Sequence, residues 1–180
     1  MNLFACLLLS TFGLIQEGPR PSGPPSWVTV QRVDAKCRTS FPQDPRYETQ
    51  WVMTSRGRLL LHRLVTAADE GVHMVCWYDV PRGTLRNVKT ADVLARMRDG
   101  LIAALEGQLV EEKPHRLIGP GNRPYPGLEC RLTGPRGVQV RARFYLVNER
   151  LYQLLAVGTA AQVDAPETRE RFFDRFAVTP

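Results

Sequence analysis

The chain has 180 residues, of which 43% are hydrophobic and 23% are charged. This length can bury one sizeable core, and the composition excludes the disordered and fibrous classes of protein. The net charge is +6, and nearly all of the 24 basic residues are arginines. Because these arginines are spread along the chain and mixed with acids, we expect a solvated basic surface and no nucleic-acid partner.

The N-terminus has the pattern of a secretory signal. Met1–Ile15 is apolar but too short to span a bilayer, and a polar, proline-rich stretch follows it. We therefore predict a signal peptide over residues 1–17, a Pro/Gly-rich linker over 18–26 and one α+β domain over 27–180. The expected location is periplasmic or extracellular with no stable transmembrane span, and an uncleaved signal would act as a tether.

Three cysteines follow the predicted signal peptide, at positions Cys37, Cys76 and Cys130. Their odd number and wide spacing exclude a disulfide framework and a zinc cluster. Each lies among alternating apolar residues, which is typical of a small buried side chain. One disulfide between two of them stays open, since pairing cannot be read from sequence.

The first half of the predicted domain has strand patterns followed by a helix pattern. Pro, Gly or Asp residues bound the apolar runs, and the predicted strands are Trp27–Val33, Lys36–Phe41, Thr49–Met53, Arg58–Val65 and Val72–Val80. The loop Thr66–Gly71 joins the last two as a hairpin. Apolar residues then recur at three- and four-residue steps, which predicts a helix over Thr90–Leu109 with Thr90 as its N-cap.

The second half predicts a meander of three strands and a closing helix. The predicted strands are Tyr125–Thr133, Val138–Val147 and Arg150–Gly158. Turns at Gly134–Gly137 and Asn148-Glu149 connect them. A final helix over Ala165–Phe176, capped by Asp164, presents phenylalanines to the sheet. The predicted fold class is therefore α+β, an antiparallel sheet of about six or seven strands flanked by helices.

Several motifs follow one another between Gly119 and Phe176. They are Gly119, Pro126-Gly127-Leu128-Glu129, Arg143-Phe144-Tyr145-Leu146-Val147, Arg150-Leu151-Tyr152-Gln153-Leu154 and Phe172-Phe173-Asp174-Arg175-Phe176. In this order they resemble a family of small exported bacterial proteins of unknown function with a PsbP-like α/β/α sandwich fold, although Arg175 stands where that family usually has serine. Relatives of this fold include a photosystem extrinsic subunit and a small-GTPase-binding protein, so the resemblance implies a binding or assembly role by analogy.

Alternation along the meander places charged and aromatic side chains on one face of the predicted sheet. The candidate binding residues on this face are Glu129, Arg131, Arg141, Arg143, Tyr145 and Tyr152. A symmetric first turn puts Glu129 opposite Arg141 and Arg131 opposite Gln139, and the second turn puts Tyr152 opposite Tyr145. One interpretation is a cross-strand ion pair with arginine stems covering the sheet. The other is a pocket for an acidic ligand or a partner's carboxylate.

The sequence contains no phosphate-binding loop, nucleophile elbow, zinc-protease helix or paired-cysteine motif, so we expect no cofactor and assign no catalytic residue. His62 and His73 could lie diagonally on one face of a hairpin, but no third metal ligand can be assigned. We favour a monomeric, non-enzymatic binding or accessory/assembly domain whose partner is an unknown protein or a small acidic ligand. The alternative is a small hydrolase or transferase with Glu129 or Asp174 as general base, although the surrounding arginines would keep such a carboxylate ionised.

Overall fold

A computed structural model describes residues 26–54, 57–69 and 71–180. The predicted signal peptide and almost all of the linker lie outside the described residues. The described strands are β1 (Val28–Arg32), β2 (Cys37–Phe41), β3 (Arg46–Thr54), β4 (Gly57–Ala68), β5 (Gly71–Asp79), β6 (Gln108–Ile118), β7 (Pro124–Thr133), β8 (Gln139–Val147), β9 (Arg150–Gly158) and β10 (Ala177–Val178). The helices are α1 (Thr90–Leu105), α2 (Ala160–Val163), a π-helical segment at Thr168–Phe173 and two short 3-10 turns at Pro120–Asn122 and Pro135–Gly137.

Seven of the strands form one antiparallel sheet in the order β3-β4-β5-β9-β8-β7-β6. A second, smaller sheet has the order β1-β2-β10 and is also antiparallel. The predicted α+β class and the antiparallel sheet are confirmed. Since β3 and β6 are the outer strands of the large sheet, each has one side with no neighbouring strand among the residues that the structure describes.

The large sheet has an apolar core on each face. On one face, α1 packs through residues that recur every three or four positions, Val93, Leu94, Met97, Leu101 and Leu105. The other face is covered by the small sheet and by the C-terminal segment, which buries Phe172, Phe173 and Phe176. Among the described residues, no helix is long and apolar enough to cross a membrane.

The three described cysteines confirm the prediction of small buried side chains. Cys76 and Cys130 lie in the core under α1, and Cys37 lies in the core of the opposite face. All three are free thiols in this structure. Burial raises the pKa of each thiol to about 12, so each stays protonated and unreactive at neutral pH.

The predicted helix Thr90–Leu109 begins at the predicted residue, but its predicted N-cap and its predicted end are wrong. Its N-cap is Lys89, so Thr90 is the first helical residue. The helix stops at Leu105 because Glu106 adopts a left-handed conformation, with φ of 49°, and reverses the chain. Leu109 belongs instead to β6, a strand that the sequence did not predict because most of its side chains are polar and exposed.

The predicted helix Ala165–Phe176 is corrected in its cap and its winding. Asp164 does not cap it; the cap with side-chain hydrogen bonds is Thr159, which forms a capping box with Gln162 at the start of α2. The helical backbone further on is wound as a π-helix, as shown by the bond from Asp174 N–H to the Arg169 carbonyl. Both neighbouring phenylalanines, Phe172 and Phe173, are buried in this segment.

Candidate functional site

The meander places the predicted residues on one face, but with a different register. Glu129 lies opposite Arg143 and Arg131 opposite Arg141, which is two residues away from the predicted pairing with Arg141 and Gln139. The turn is centred one residue later than the predicted pairing requires, because the Gly134 N–H bonds to the Val138 carbonyl and so places Arg136 at the middle of the turn. A shift of two residues preserves the face of every side chain. Tyr145 and Tyr152 lie opposite each other, as predicted.

Glu129 is the buried centre of an ion-pair network. Its side chain is only 3% exposed. The Nε of Arg143 donates to Oε2 at 2.5 Å, while Lys113 Nζ and Arg141 Nε lie 3.2 and 3.4 Å from Oε1. Burial alone would raise the pKa of Glu129, but the charges of Arg143 and Arg141 and the hydrogen bonds from Arg143 and Lys113 lower it. The carboxylate is therefore ionised and fully engaged.

Arg143 connects this network to the C-terminal segment. It is 5% exposed, and its second nitrogen donates to Asp174 Oδ1 at 2.8 Å. The guanidinium also lies over the ring of Phe173, 5.1 Å from the centroid. Arg143 thus links strand β8 to the segment that covers this face of the sheet.

The other predicted binding residues have structural partners. Arg131 and Arg141 reach Asp164 beside α2, at 2.5 and 3.8 Å. The Tyr152 hydroxyl is buried and donates to the Ala35 carbonyl at 2.7 Å. Of the six predicted residues, only Arg143 and Tyr145 line an open cleft.

This cleft lies beside Arg143 and Tyr145, between the outer strand β6, the small sheet and residues 173–177. Its volume is about 640 Å³, within the usual range of ligand sites. We call it the basic cleft, and its charged or titratable lining residues are Arg38, His115, Arg116, Arg143, Tyr145, Asp174 and Arg175.

Three arginines at the basic cleft have charges that no ion pair balances. Arg38, Arg116 and Arg175 are all exposed, and none of them forms an ion pair with any residue of 26–54, 57–69 or 71–180. The acid at the cleft, Asp174, is already bound to Arg143. The cleft therefore has excess positive charge near its open side, which favours an anionic ligand.

His115 and Tyr145 form a neutral hydrogen-bonded wall of the cleft. The Tyr145 hydroxyl lies 3.0 Å from His115 Nδ1. Tyr145 can lie against β7 because position 127 is glycine, where an added Cβ would meet the ring at 2.5 Å. Burial lowers the pKa of His115, and the charge of Arg143 lowers it further. Near neutral pH the positive charge of the cleft thus comes from arginines alone.

No protein-family model matches this chain, and no curated protein matches it. Among solved structures, it is similar to the cyanobacterial PsbP protein (CyanoP) of Synechocystis, with a TM-score of 0.54 and 13% identity over 91% of this chain and 98% of that one. The chain has a PsbP-like fold. A crystal structure of a protein of unknown function from Pseudomonas aeruginosa matches with a TM-score of 0.42 and 14% identity, over 82% of this chain and 90% of that one.

Sequence reasoning missed four basic residues that line the cleft of this PsbP-like fold: Arg38, His115, Arg116 and Arg175. They come from β2, β6 and the residues before β10, so no single pattern in the sequence brings them together. His115 could not be placed because β6 was not predicted. Arg175 did carry a signal, since it departs from the serine usual at that place in the resembling family.

The two histidines considered as metal ligands are not diagonal neighbours. In the hairpin β4–β5, His62 lies opposite Trp77 and His73 opposite Thr66, four positions along the strand. The prediction was wrong because the strands extend through the predicted loop, to Ala68 and from Gly71. The described part of the chain contains no group of three or more residues that could hold a metal ion.

His73 makes the stability of this PsbP-like fold sensitive to pH. It is 0% exposed, packs against Trp27 and Phe172, and burial lowers its pKa to about 4. The unfolded chain binds this proton near pH 6.5, so acidification below that value favours the unfolded state. Between pH 7 and pH 4 we expect His73 to reduce the free energy of unfolding by about 3 kcal/mol.

The measurement is urea unfolding of the parent and of His73→Phe at several pH values from 7 to 4. Phenylalanine has a similar shape and does not titrate. Because His62, His115 and the carboxylates titrate in both proteins, the difference between the two pH profiles isolates His73. Parallel profiles would contradict the prediction.

Proposed function

We propose that this chain is an exported, non-enzymatic binding domain that holds an acidic group of its ligand or partner in the basic cleft. The observation that carries the proposal is the pair Arg38 and Arg175, exposed at a concave site and without an ion pair among the described residues. A guanidinium binds carboxylates through two parallel hydrogen bonds, which gives strength and orientation. Export is inferred from the apolar segment Met1–Ile15 and the proline-rich stretch after it.

The contacts of the two candidate general bases disfavour the enzymatic alternative. Glu129 is buried away from the cleft, and three basic side chains surround its oxygens. Asp174 lies at the cleft, but its Oδ1 accepts a hydrogen bond from Arg143. A general base must reach a substrate proton, which Glu129 cannot do from outside the cleft, and Asp174 is already the ion-pair partner of Arg143. Binding of an anion requires only the arginines that are exposed here.

The first test removes two of the arginine charges of the cleft in the variant Arg38→Gln/Arg175→Ser. Both side chains are exposed, so we expect the fold to persist. The probes are citrate, measured by calorimetry, and a library of blocked octapeptides with glutamate at a central position, measured by fluorescence polarisation. We expect the variant to bind at least about tenfold more weakly than the parent, because two charge-assisted contacts are lost.

A matched control removes two other exposed arginines, in the variant Arg86→Ser/Arg96→Gln. It has the same net charge as the cleft variant, but Arg96 lies on α1, at the opposite face of the large sheet. The control is expected to bind like the parent at 0.15 M salt. Equal losses in the two variants would show a general effect of net charge, and a parent that binds neither probe would contradict the proposal.

A further inference from the structure

The outer strand β6 has a backbone orientation that can be read from its pairing with β7. In an antiparallel pair, hydrogen-bonded and non-hydrogen-bonded residue pairs alternate. The Gly119 N–H donates to the Arg123 carbonyl at 2.8 Å, so these two residues form a hydrogen-bonded pair. In the same register, two and four residues back along β6, lie the pairs Leu117–Tyr125 and His115–Gly127. The odd-numbered residues at this end of β6 therefore direct their backbone groups toward β7.

Three prolines independently give the same orientation. Pro114, Pro124 and Pro126 all fall in even-numbered pairs, opposite Leu128, Ile118 and Arg116. Proline has no N–H to donate, so it fits the non-hydrogen-bonded pairs. Directly after β7, the Gly134 N–H donates to the Val138 carbonyl in the register that pairs β7 with β8. Even-numbered residues of β7 therefore direct their backbone groups toward β8 and away from β6. Even-numbered residues of β6 therefore direct their backbone groups away from the sheet.

The outward backbone groups of Arg116 and Ile118 lie at the basic cleft, because both residues line it. Each offers an N–H and a carbonyl to a further strand. The edge is limited toward the start of β6, where Pro114 lacks an N–H and charged residues 111–113 follow a register shift after Leu109. Such features prevent pairing with other chains, so the usable edge is confined to the part that borders the cleft.

We propose that the ligand of the basic cleft is an extended acidic peptide of a partner protein, which adds a strand to β6 at Arg116 and Ile118. An acidic side chain of this peptide binds Arg38 and Arg175. Backbone bonds along a sheet edge supply affinity, and side-chain pockets supply specificity, in this mode of recognition. The inference rests on the proposed function, but it adds a requirement that a small anion does not have: a backbone N–H at position 116.

The test compares two replacements of Arg116 in binding to the glutamate-centred octapeptides. Arg116→Pro removes the outward N–H without removing a hydrogen bond within the sheet, and Arg116→Gln removes the same charge but keeps the N–H. We expect the proline variant to bind the peptides about tenfold more weakly than the glutamine variant. Both variants should bind citrate equally. Matching urea midpoints verify that the proline variant is folded.

Modified peptides test the same contact with the unaltered protein. A tight-binding octapeptide is made with an N-methyl group at each backbone position in turn, which removes one N–H at a time. Strand addition predicts that methylation at alternate positions abolishes binding, while methylation at the positions between them is tolerated. This series remains decisive if Arg116→Pro does not fold.

The outcomes separate the two proposals. Peptide binding that is equal in the proline and glutamine variants, or that is insensitive to the position of N-methylation, overturns strand addition. Binding of citrate without binding of any peptide also overturns it and leaves the acidic-group proposal intact. Binding of neither probe to the parent overturns both.

Discussion

Phe172→Ala is expected to reduce the free energy of unfolding by about 3–5 kcal/mol. The Phe172 ring is 0% exposed and lies 5.0 to 5.4 Å, between centroids, from the rings of Phe41, His73 and Phe173. These neighbours come from the small sheet, the large sheet and the C-terminal segment itself. Since three different elements hold the surrounding residues, the site cannot collapse around alanine, and a cavity remains.

Equilibrium urea unfolding of the parent and the variant measures this loss. Val138→Ala is the control, because Val138 is 36% exposed and its truncation is expected to cost less than about 0.5 kcal/mol. Phe176→Ala should resemble Phe172→Ala, since the Phe176 ring stacks on Tyr145 at 5.7 Å. Similar midpoints for Phe172→Ala and the control would mean that the C-terminal segment contributes little to the fold.

The strands that could be predicted from sequence are those rich in apolar side chains, whether the apolar residues alternate or form a continuous run. Arg150–Gly158 was predicted with its observed bounds, because β9 lies in the middle of the large sheet and is buried on both faces. The outer strand β6 was missed for the opposite reason. Its buried side is limited to a few positions such as Leu117, so a hydrophobic pattern hardly exists there.

The candidate site was predicted only in part because alternation fixes the face of a residue and not its partners. Glu129 and Arg143 were placed on one face, as observed, but their direct pairing depended on which residue of the Gly134–Val138 turn lies at its centre. The charges of the basic cleft come from elements far apart in the chain, such as Arg38 and Arg175. Only the packing of the small sheet beside β6 brings them to one opening.

Arg143→Met is expected to reduce the free energy of unfolding by about 3–5 kcal/mol, because it removes the closest partner of a buried carboxylate. Glu129 is 3% exposed in the parent, and in the variant it would retain only the longer contacts to Lys113 and Arg141. Methionine preserves most of the packing of the arginine stem, so the loss reports mainly on charge. The control is Arg131→Met, whose more exposed bridge to Asp164 is worth about 0–1 kcal/mol.

A double-mutant cycle with Glu129→Gln tests this cause. If an uncompensated charge is responsible, Glu129→Gln/Arg143→Met should be more stable than Arg143→Met alone, since the carboxylate no longer has to be buried without its partner. Additive losses in the cycle would assign the effect to packing and to the lost contacts with Asp174 and Phe173.

The pH dependence of the same variant gives a second measure of the buried charge. In the parent, the lowered pKa of Glu129 contributes stability that is present above the unfolded value, near pH 4.5, and is lost as the pH falls through the folded value. In Arg143→Met, burial acts on the carboxylate with one cation fewer, so its pKa rises and protonation relieves the unpaired charge. The stability difference between parent and variant should therefore be smaller at pH 4 than at pH 7. A difference that stays constant over this range would show that Glu129 is not the group that Arg143 stabilises.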